Sequence, residues 1–194
     1  MAKLRAKAPL AVGVKGSDLS KATTYKLVKN NSTTTVSAET SFTLGWDKNA
    51  LLFNILCKEP NMQKLQVSSD VSGGDYLAIS IETQNHSYYH IEVNPDGVLV
   101  DGDPGPNWKS LAEVKTEKGA DFWTIQLRIP VVGSNEAASD PLHRVAGAMP
   151  TEKAPWYFNI GRARTAGETR ELTAFSPTGG AWKQPAKFGR LEIK

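Results

Sequence analysis

The chain has 194 residues, 40% of them hydrophobic and 22% charged, and this composition is ordinary for a globular protein. Its net charge of +3 is small and its basic residues are scattered, which does not indicate a nucleic-acid-binding protein. No stretch approaches the ~20 apolar residues of a membrane-spanning helix, and the single cysteine, Cys57, excludes an internal disulfide.

The first residues, "MAKLRAK", are basic, and the apolar run after them is broken by Gly13 and Lys15. That run is too short for the core of a signal peptide. We therefore assign residues 1–20 to a flexible N-terminal segment. No linker interrupts the pattern that follows, so residues 21–194 are predicted to form one domain.

Strand signals dominate this domain: short β-branched or aromatic runs alternate with turn residues. The predicted strands are "TTYKLV", "SFTLGW", "LLFNILC", "YLAISIET", "YYHIEV", "GVLVD", "AEVKT", "FWTIQLRI", "WYFNIGRAR", "ELTAF" and "KFGRLEI". Hairpin turns are expected at residues 47–49, 94–97 and 118–121. One short helix is expected over residues 140–149, with Asp140 as its cap. About ten short strands joined by tight turns predict an all-β protein: an antiparallel β-sandwich of jelly-roll type, immunoglobulin-like in general layout, with little helix.

Strand "YYHIEV" shows the expected alternation, because Tyr89, Ile91 and Val93 share one face. That face is predicted to join the core. The opposite face carries Tyr88, His90 and Glu92, which form a polar and aromatic strip.

The sequence gives little support for a catalytic or metal-binding centre. Most acids occupy turns, where they bond to the local backbone. Glu82 and Glu92 lie on adjacent predicted strands and are the one candidate pair for glycoside hydrolysis. His86 and His90 would be roughly 13 Å apart on a strand, too far to share a zinc ion. Asp101 and Asp103, in an oxygen-rich turn, are candidates for a structural calcium site. We expect a protein that is not an enzyme.

The five tryptophans divide into two groups. Trp46, Trp123 and Trp156 share strand faces with apolar residues and are predicted to lie in the core. Trp108 and Trp182 lie in Gly/Pro-rich loops, where each can either cover the core or expose an indole face on which a sugar ring stacks. Polar partners for such a ligand would be Arg162, Arg164, Asn159, Glu82, His90 and Tyr88.

An ordered series of motifs over Thr40 to Ile193 resembles the family 9 carbohydrate-binding modules and the related DOMON domains. The motifs are "TSFTLGWDKNALLFNILCKEP", "GDYLAISIET", "YYHIEVNPDGVLVD", "FWTIQLRIPV", "WYFNIGRAR" and "AWKQPAKFGRLEI". The resemblance matches Asn159, Arg162, Trp182 and Asp75 to family positions. The chain has Tyr76 and Ser80 where the family pattern has acids.

The resemblance implies a jelly-roll β-sandwich that binds sugars without catalysis. In the family, the sugar at the end of a chain is held between two tryptophans, and calcium ions often have a structural role. We therefore expect a carbohydrate-binding module whose partner is a polysaccharide or oligosaccharide, within a longer exported protein located outside the cell or in the periplasm. Three alternatives remain open: a haem-binding DOMON-like domain with axial ligands among Met62, Met149, His86, His90 and His143, an interaction domain without a small ligand, and a hydrolase using Glu82 and Glu92.

Overall fold

Fourteen β-strands make up nearly all the regular structure in the computed structural model, which describes residues 5, 7–103, 105, 107–139 and 142–194. The strands are β1 (Leu10–Lys15), β2 (Tyr25–Lys26), β3 (Val28–Lys29), β4 (Thr40–Asp47), β5 (Ala50–Lys58), β6 (Tyr76–Glu82), β7 (Tyr89–Val93), β8 (Leu99–Asp103), β9 (Glu113–Lys118), β10 (Phe122–Val132), β11 (Val145–Ala146), β12 (Trp156–Arg164), β13 (Glu171–Ala174) and β14 (Gly189–Ile193). A short helix, α1, spans Ser134–Ser139. Each predicted strand segment overlaps at least one of these strands, so the all-β prediction is confirmed.

The strands form two sheets that β1 joins. The front sheet runs in the order β8, β7, β6, β12, β14, with β13 beside β12 and β3 beside β13. The back sheet contains β2, β4, β5, β10, β9 and β11. The first part of β1 pairs with β14, and its last two residues pair with β4.

Strand β1 corrects the expectation of a flexible segment over residues 1–20. Leu10–Lys15 is paired on the front sheet and then on the back sheet. Gly13 lies close to side chains of both sheets. A Cβ at this position would be 2.2 Å from Leu44 Cδ1 on the back sheet and 2.7 Å from Ile193 Cδ1 on the front sheet. The glycine that weakened the apolar pattern therefore allows the strand to pass between the sheets.

The expectation of purely antiparallel sheets is also corrected. β1 runs parallel to both β14 and β4, and β11 runs parallel to β10. The other pairings between these strands are antiparallel, so the sheet system is mixed.

The predicted helix over residues 140–149 is wrong where the structure describes it. Asp140 and Pro141 lie outside the described residues, and Val145–Ala146 forms β11 against Val131–Val132. Val145 and Ala146 are buried in that pairing. Helix geometry would remove both the pairing and the burial.

The three predicted turns are confirmed. Lys48 and Asn49 adopt positive φ in a two-residue hairpin between Asp47 and Ala50. Asn94 stabilises its turn, because its side-chain oxygen accepts hydrogen bonds from the amides of Asp96 and Val98 at 3.0 Å. The amide of Gly119 donates to the carbonyl of Phe122 at 2.8 Å and closes the third.

One aromatic core lies between the sheets. Phe42 and Phe53 of the back sheet face Phe158 of the front sheet, with ring centroids 6.0 and 6.3 Å away. Trp46 and Trp156 meet across the same space at 5.7 Å. The predicted core positions of Trp46, Trp123 and Trp156 are confirmed.

Cys57 is buried in this core, as its apolar neighbours predicted. Burial raises the pKa of the thiol to about 11, so the group stays protonated at neutral pH and packs as a small apolar side chain. Within the described residues, no helix has the length and apolar content that crossing a membrane requires.

Candidate functional site

Small residues form a trough across the outer face of the front sheet. Ala174, Gly161 and Ala78 stand side by side on β13, β12 and β6. Ala163 belongs to the same outer cluster, which is separate from the core between the sheets. A row of short side chains leaves room for a large one above it.

Trp182 fills this trough. A Cβ added to Gly161 would lie 2.3, 2.4 and 2.6 Å from three atoms of the indole, so one face of the ring rests on the backbone of β12. Gly161 is therefore required by the close approach of Trp182.

The loop that carries Trp182 is held by two buried asparagines. The side-chain amide of Asn159 donates a hydrogen bond to the carbonyl of Ser176 at 2.8 Å, and its side-chain oxygen accepts one from the amide of Ser176 at 2.9 Å. Asn30 donates to the carbonyl of Gly180 at 2.6 Å and accepts from the amide of Thr178 at 2.8 Å. Asn159, predicted to contact a ligand, instead fixes the backbone that leads to Trp182.

A cleft of about 400 Å³ opens beside Trp182. Its walls come from β6, β7, the start of β13 and residues 180–183 of the loop. Two of the predicted site residues, Trp182 and His90, line it together. The cleft thus joins part of the predicted strip on β7 to the C-terminal tryptophan.

Tyr76 supplies a second aromatic wall. Its ring meets Trp182 edge to face, with centroids 5.8 Å apart and planes at 76°. The two side chains are 8% and 9% exposed. Burial raises the pKa of the Tyr76 hydroxyl and the negative charge of Glu92 raises it further, while Arg170 acts in the opposite direction. The phenol is therefore a neutral hydrogen-bonding group at neutral pH.

Cationic groups stand on two sides of the cleft. The Arg170 guanidinium lies 6.0 Å from the centre of the Tyr76 ring and its side chain is exposed. Lys183 pairs with Asp103 at 3.3 Å. These side chains can donate hydrogen bonds to ligand oxygens.

A polar ladder on the floor of the cleft connects β6 to β7. Ser80 Oγ lies 2.8 Å from His90 Nδ1, and His90 Nε2 lies 3.0 Å from Glu92 Oε1. Ser80 and His90 are opposite each other in the strand pairing. Because both ring nitrogens of His90 are engaged within the protein, this histidine is not available as an axial haem ligand.

Arg162 and Arg164 do not reach the cleft. Both are buried and bond to Glu59, which is itself fully buried. Arg164 makes two 2.7 Å bonds to the carboxylate, and Arg162 adds one at 3.0 Å. The prediction that the two arginines contact a ligand is therefore wrong, because both belong to a buried ion network with Glu59. Glu59 follows β5 and is more than 100 residues away in the sequence, so local patterns did not reveal the pairing.

Trp108 covers the core and does not expose an indole face to a ligand. It is fully buried in the core, its ring 5.2 Å from that of Tyr89, and its indole N–H donates to the carbonyl of Arg144 at 3.1 Å. It offers no face to a ligand in this conformation. Tyr88 is half-buried just before β7 and does not line the cleft.

Glu82 lies at the far end of β6 from the cleft. Arg5 donates two hydrogen bonds to its carboxylate, at 2.9 and 2.8 Å. Glu92 pairs with Ala78, four positions from Glu82, so the two acids are separated by about 13 Å along the sheet. Glycosidase carboxylates stand about 5 to 9.5 Å apart, and this spacing argues against the hydrolase alternative.

The calcium prediction gains no further ligands here. Asp103 is paired with Lys183, and no group of three or more His, Cys, Asp or Glu side chains among the described residues could hold a metal ion. A calcium site at Asp101 and Asp103 stays a prediction.

Three cleft residues with an aromatic ring or a charge, Tyr76, Arg170 and Lys183, were not predicted to contact a ligand. Tyr76 had a usable signal, because Leu77, Ile79 and Ile81 point into the core and alternation places Tyr76 on the outer face. Arg170 and Lys183 lie at a strand start and in a loop, and their local sequence carries no signal for a shared cleft.

No protein-family model and no curated protein sequence matches the chain. Solved structures do. A family 9 carbohydrate-binding module from Caldicellulosiruptor kristjanssonii, in complex with cellotriose, gives a TM-score of 0.70 at 18% identity, covering 95% of this chain and 93% of the other. Its complex with glucose gives the same score and identity, covering 95% of each chain.

A candidate carbohydrate-binding protein from Bacteroides uniformis ATCC 8492 gives a TM-score of 0.73 at 16% identity, covering 97% of this chain and 100% of that one. At this level of identity the likeness concerns the fold. The fold of this chain is similar to that of the family 9 carbohydrate-binding modules, as the ordered motifs predicted.

Proposed function

We propose that this chain is a non-catalytic carbohydrate-binding module and that an oligosaccharide or a polysaccharide end binds in the cleft beside Trp182. The observation that carries the proposal is the composition of that cleft. An indole and a phenol ring lie next to a carboxylate, a guanidinium and an ammonium group. Sugar rings have apolar C–H faces and polar rims, and this arrangement offers a partner to each.

The other cavities support this choice of site. Two lie on the outer face of β5 and β10, around Asn54 and Gln126, where the aromatic wall residues Phe42 and Phe53 are buried. A third, of about 760 Å³, lies under the Thr-rich loop of residues 30–36 and has no aromatic wall. An aromatic platform with adjacent charged hydrogen-bonding groups is found beside Trp182.

The similarity in fold adds a second line of support, because two of the similar structures hold cellotriose and glucose. A jelly-roll connection of the strands, a place within a longer exported protein and a location outside the cell or in the periplasm belong to the same proposal. A structural calcium at Asp101 and Asp103 is a separate part of it.

A glycan array read with and without calcium, and including free reducing sugars, tests the proposal. Wild-type protein should bind a defined set of glycans, and Trp182→Ala should bind them at least about fivefold more weakly, because one aromatic contact contributes on the order of 1 to 3 kcal/mol. Tyr88→Ala is the matched control, since it removes an aromatic ring outside the cleft.

Equal binding by wild type and Trp182→Ala would remove the site assignment. Binding to no glycan would favour an interaction domain without a small ligand. A requirement for calcium would support the metal prediction, and binding that is unchanged by chelation would contradict it.

A further inference from the structure

The ladder from Ser80 to Glu92 begins at a buried position on the outer face of the front sheet and ends in the cleft. Ser80 and His90 are 1% and 2% exposed, whereas the Glu92 side chain is 19% exposed and lines the cleft. Gly102 covers the histidine closely, since a Cβ there would lie 3.1 Å from His90 Cδ2. A ligand in the cleft can therefore contact Glu92 directly, whereas His90 borders the cleft with only 2% of its surface exposed and Ser80 does not line it.

With a neutral His90 ring, the chemistry of the three groups leaves one arrangement of their protons. A carboxylate only accepts hydrogen bonds, so His90 Nε2 must carry the proton that is shared with Glu92. In a neutral imidazole the other nitrogen is then an acceptor, and the Ser80 hydroxyl donates to Nδ1. Each hydrogen bond fixes the next group in one orientation.

Glu92 has an oxygen to offer a ligand. In the described part of the chain its hydrogen bond from His90 goes to Oε1, which leaves Oε2 for another donor. Glu92 lines the same cleft as Tyr76 and Trp182, the two aromatic walls beside which a sugar would lie. Tyr76, Arg170 and Lys183 line the remaining approach.

We propose that Glu92 accepts a hydrogen bond from a ligand hydroxyl, and that Ser80 and His90 are positioning residues that hold its carboxylate without touching the ligand. This inference rests on the proposed function and adds Glu92 as the group that recognises a hydroxyl of the sugar. A free glutamate would lose side-chain freedom on binding, and the ladder removes most of that cost in advance.

The arrangement also predicts specificity for one hydroxyl group. A ligand that lacks the hydroxyl would leave a charged acceptor desolvated and unpaired, and such sites discriminate strongly against the deoxy analogue. The ligand class is therefore a sugar with a free hydroxyl at the position facing Glu92.

Calorimetric titrations with glucose, cellotriose and the set of monodeoxyglucoses test this inference. Glu92→Gln should bind glucose about tenfold or more weakly, and the one deoxy analogue that wild type discriminates against should no longer be distinguished from glucose. Ser80→Ala should weaken binding several-fold, and Ser80→Thr, which keeps the hydroxyl, should restore it.

The double variant separates positioning from a general structural effect. If Ser80 acts through Glu92, then Ser80→Ala should cost no further affinity in the Glu92→Gln background. Thermal unfolding of each variant shows that the compared proteins are folded. Additive losses, or unchanged deoxy selectivity in Glu92→Gln, would overturn the inference.

The proposed function fails in a different way. Binding that is lost in Trp182→Ala but unaffected by Glu92→Gln would keep the carbohydrate site and remove the ladder from it. A wild-type protein that binds neither these sugars nor any glycan on the array would overturn both.

Discussion

Single residues decide where an aromatic platform can stand on this sheet. Gly161 has ordinary strand pairing on both sides, with Ala174 and Ala78 as its partners. Nothing in that pairing requires glycine. The indole of Trp182 does, because it occupies the space that a side chain at residue 161 would need.

Gly161→Ala should therefore displace Trp182 while leaving the core between the sheets in place. The added Cβ would stand 2.3 Å from an indole atom, and overpacking of this kind costs about 1 to 3 kcal/mol. We expect weaker glycan binding and a red-shifted tryptophan emission as the indole becomes more exposed.

Gly133→Ala is the matched control, because a Cβ at that position meets nothing within 4 Å. It should leave emission and binding unchanged. Unaltered emission and affinity in Gly161→Ala would contradict the platform that the structure describes.

At the scale of elements, a buried ion network ties the back sheet to the front sheet. Glu59 follows directly after β5, and Arg162 and Arg164 are on β12. Asp75, just before β6, stands 3.8 Å from Arg162 and accepts a 2.6 Å hydrogen bond from Thr165. The network fixes how the end of β5 sits against β12 and β6.

Removing the central acid should be costly. Glu59→Gln leaves two buried guanidinium groups short of negative charge, and breaking one partner of a buried pair costs about 3 to 5 kcal/mol. Chemical unfolding at neutral pH measures the change. Glu39→Gln, in the exposed pair with Lys26, is the control and should change stability by less than about 1 kcal/mol.

The same network predicts a pH dependence. Burial raises the pKa of Glu59, but the hydrogen bonds and charges of Arg164 and Arg162 and the amide of Asn61 outweigh it, so the pKa lies below its ordinary value of 4.5. The stabilisation by Glu59 is thus complete above pH 4.5 and is lost as the pH falls below it, through the folded-state pKa.

The difference in stability between wild type and Glu59→Gln should accordingly be constant from neutral pH down to about pH 5 and shrink at lower pH. Thermal unfolding midpoints across this range provide the measurement. A difference that does not change below pH 4 would contradict the role of the carboxylate charge.

At the scale of the whole molecule, local patterns predicted the fold better than the site. Alternation is a property of a few adjacent residues, so the strand of Tyr89, Ile91 and Val93 was assigned correctly. β1 was missed because its stability comes from pairing with β14, at the other end of the chain. No pattern within Leu10–Lys15 reveals that partner.

The site residues follow the same rule. Trp182 and His90 line the cleft together, and both were candidates because an indole in a Gly/Pro loop and a polar side chain on an outer strand face are local signals. Arg162 and Arg164 were assigned to a ligand because the sequence does not show that Glu59 is folded against them. A charged residue on a strand can face solvent, a ligand or a buried partner, and tertiary contacts decide among these.

The five tryptophans make the central claim measurable in one spectrum. Trp46, Trp108, Trp123 and Trp156 lie in the core, whereas Trp182 belongs to the outer cluster on the front sheet. Each indole N–H gives its own signal in a two-dimensional nitrogen–proton NMR spectrum, and single substitutions assign the signals.

Titration with a glycan selected by the array is the measurement we would make first. We expect the Trp182 indole signal to shift most, together with backbone amides of residues 180–183 and of Tyr76 and Glu92, while the four core indole signals stay in place. Largest shifts on the amides of β5 and β10, or on a core indole, would contradict the placement of the sugar beside Trp182.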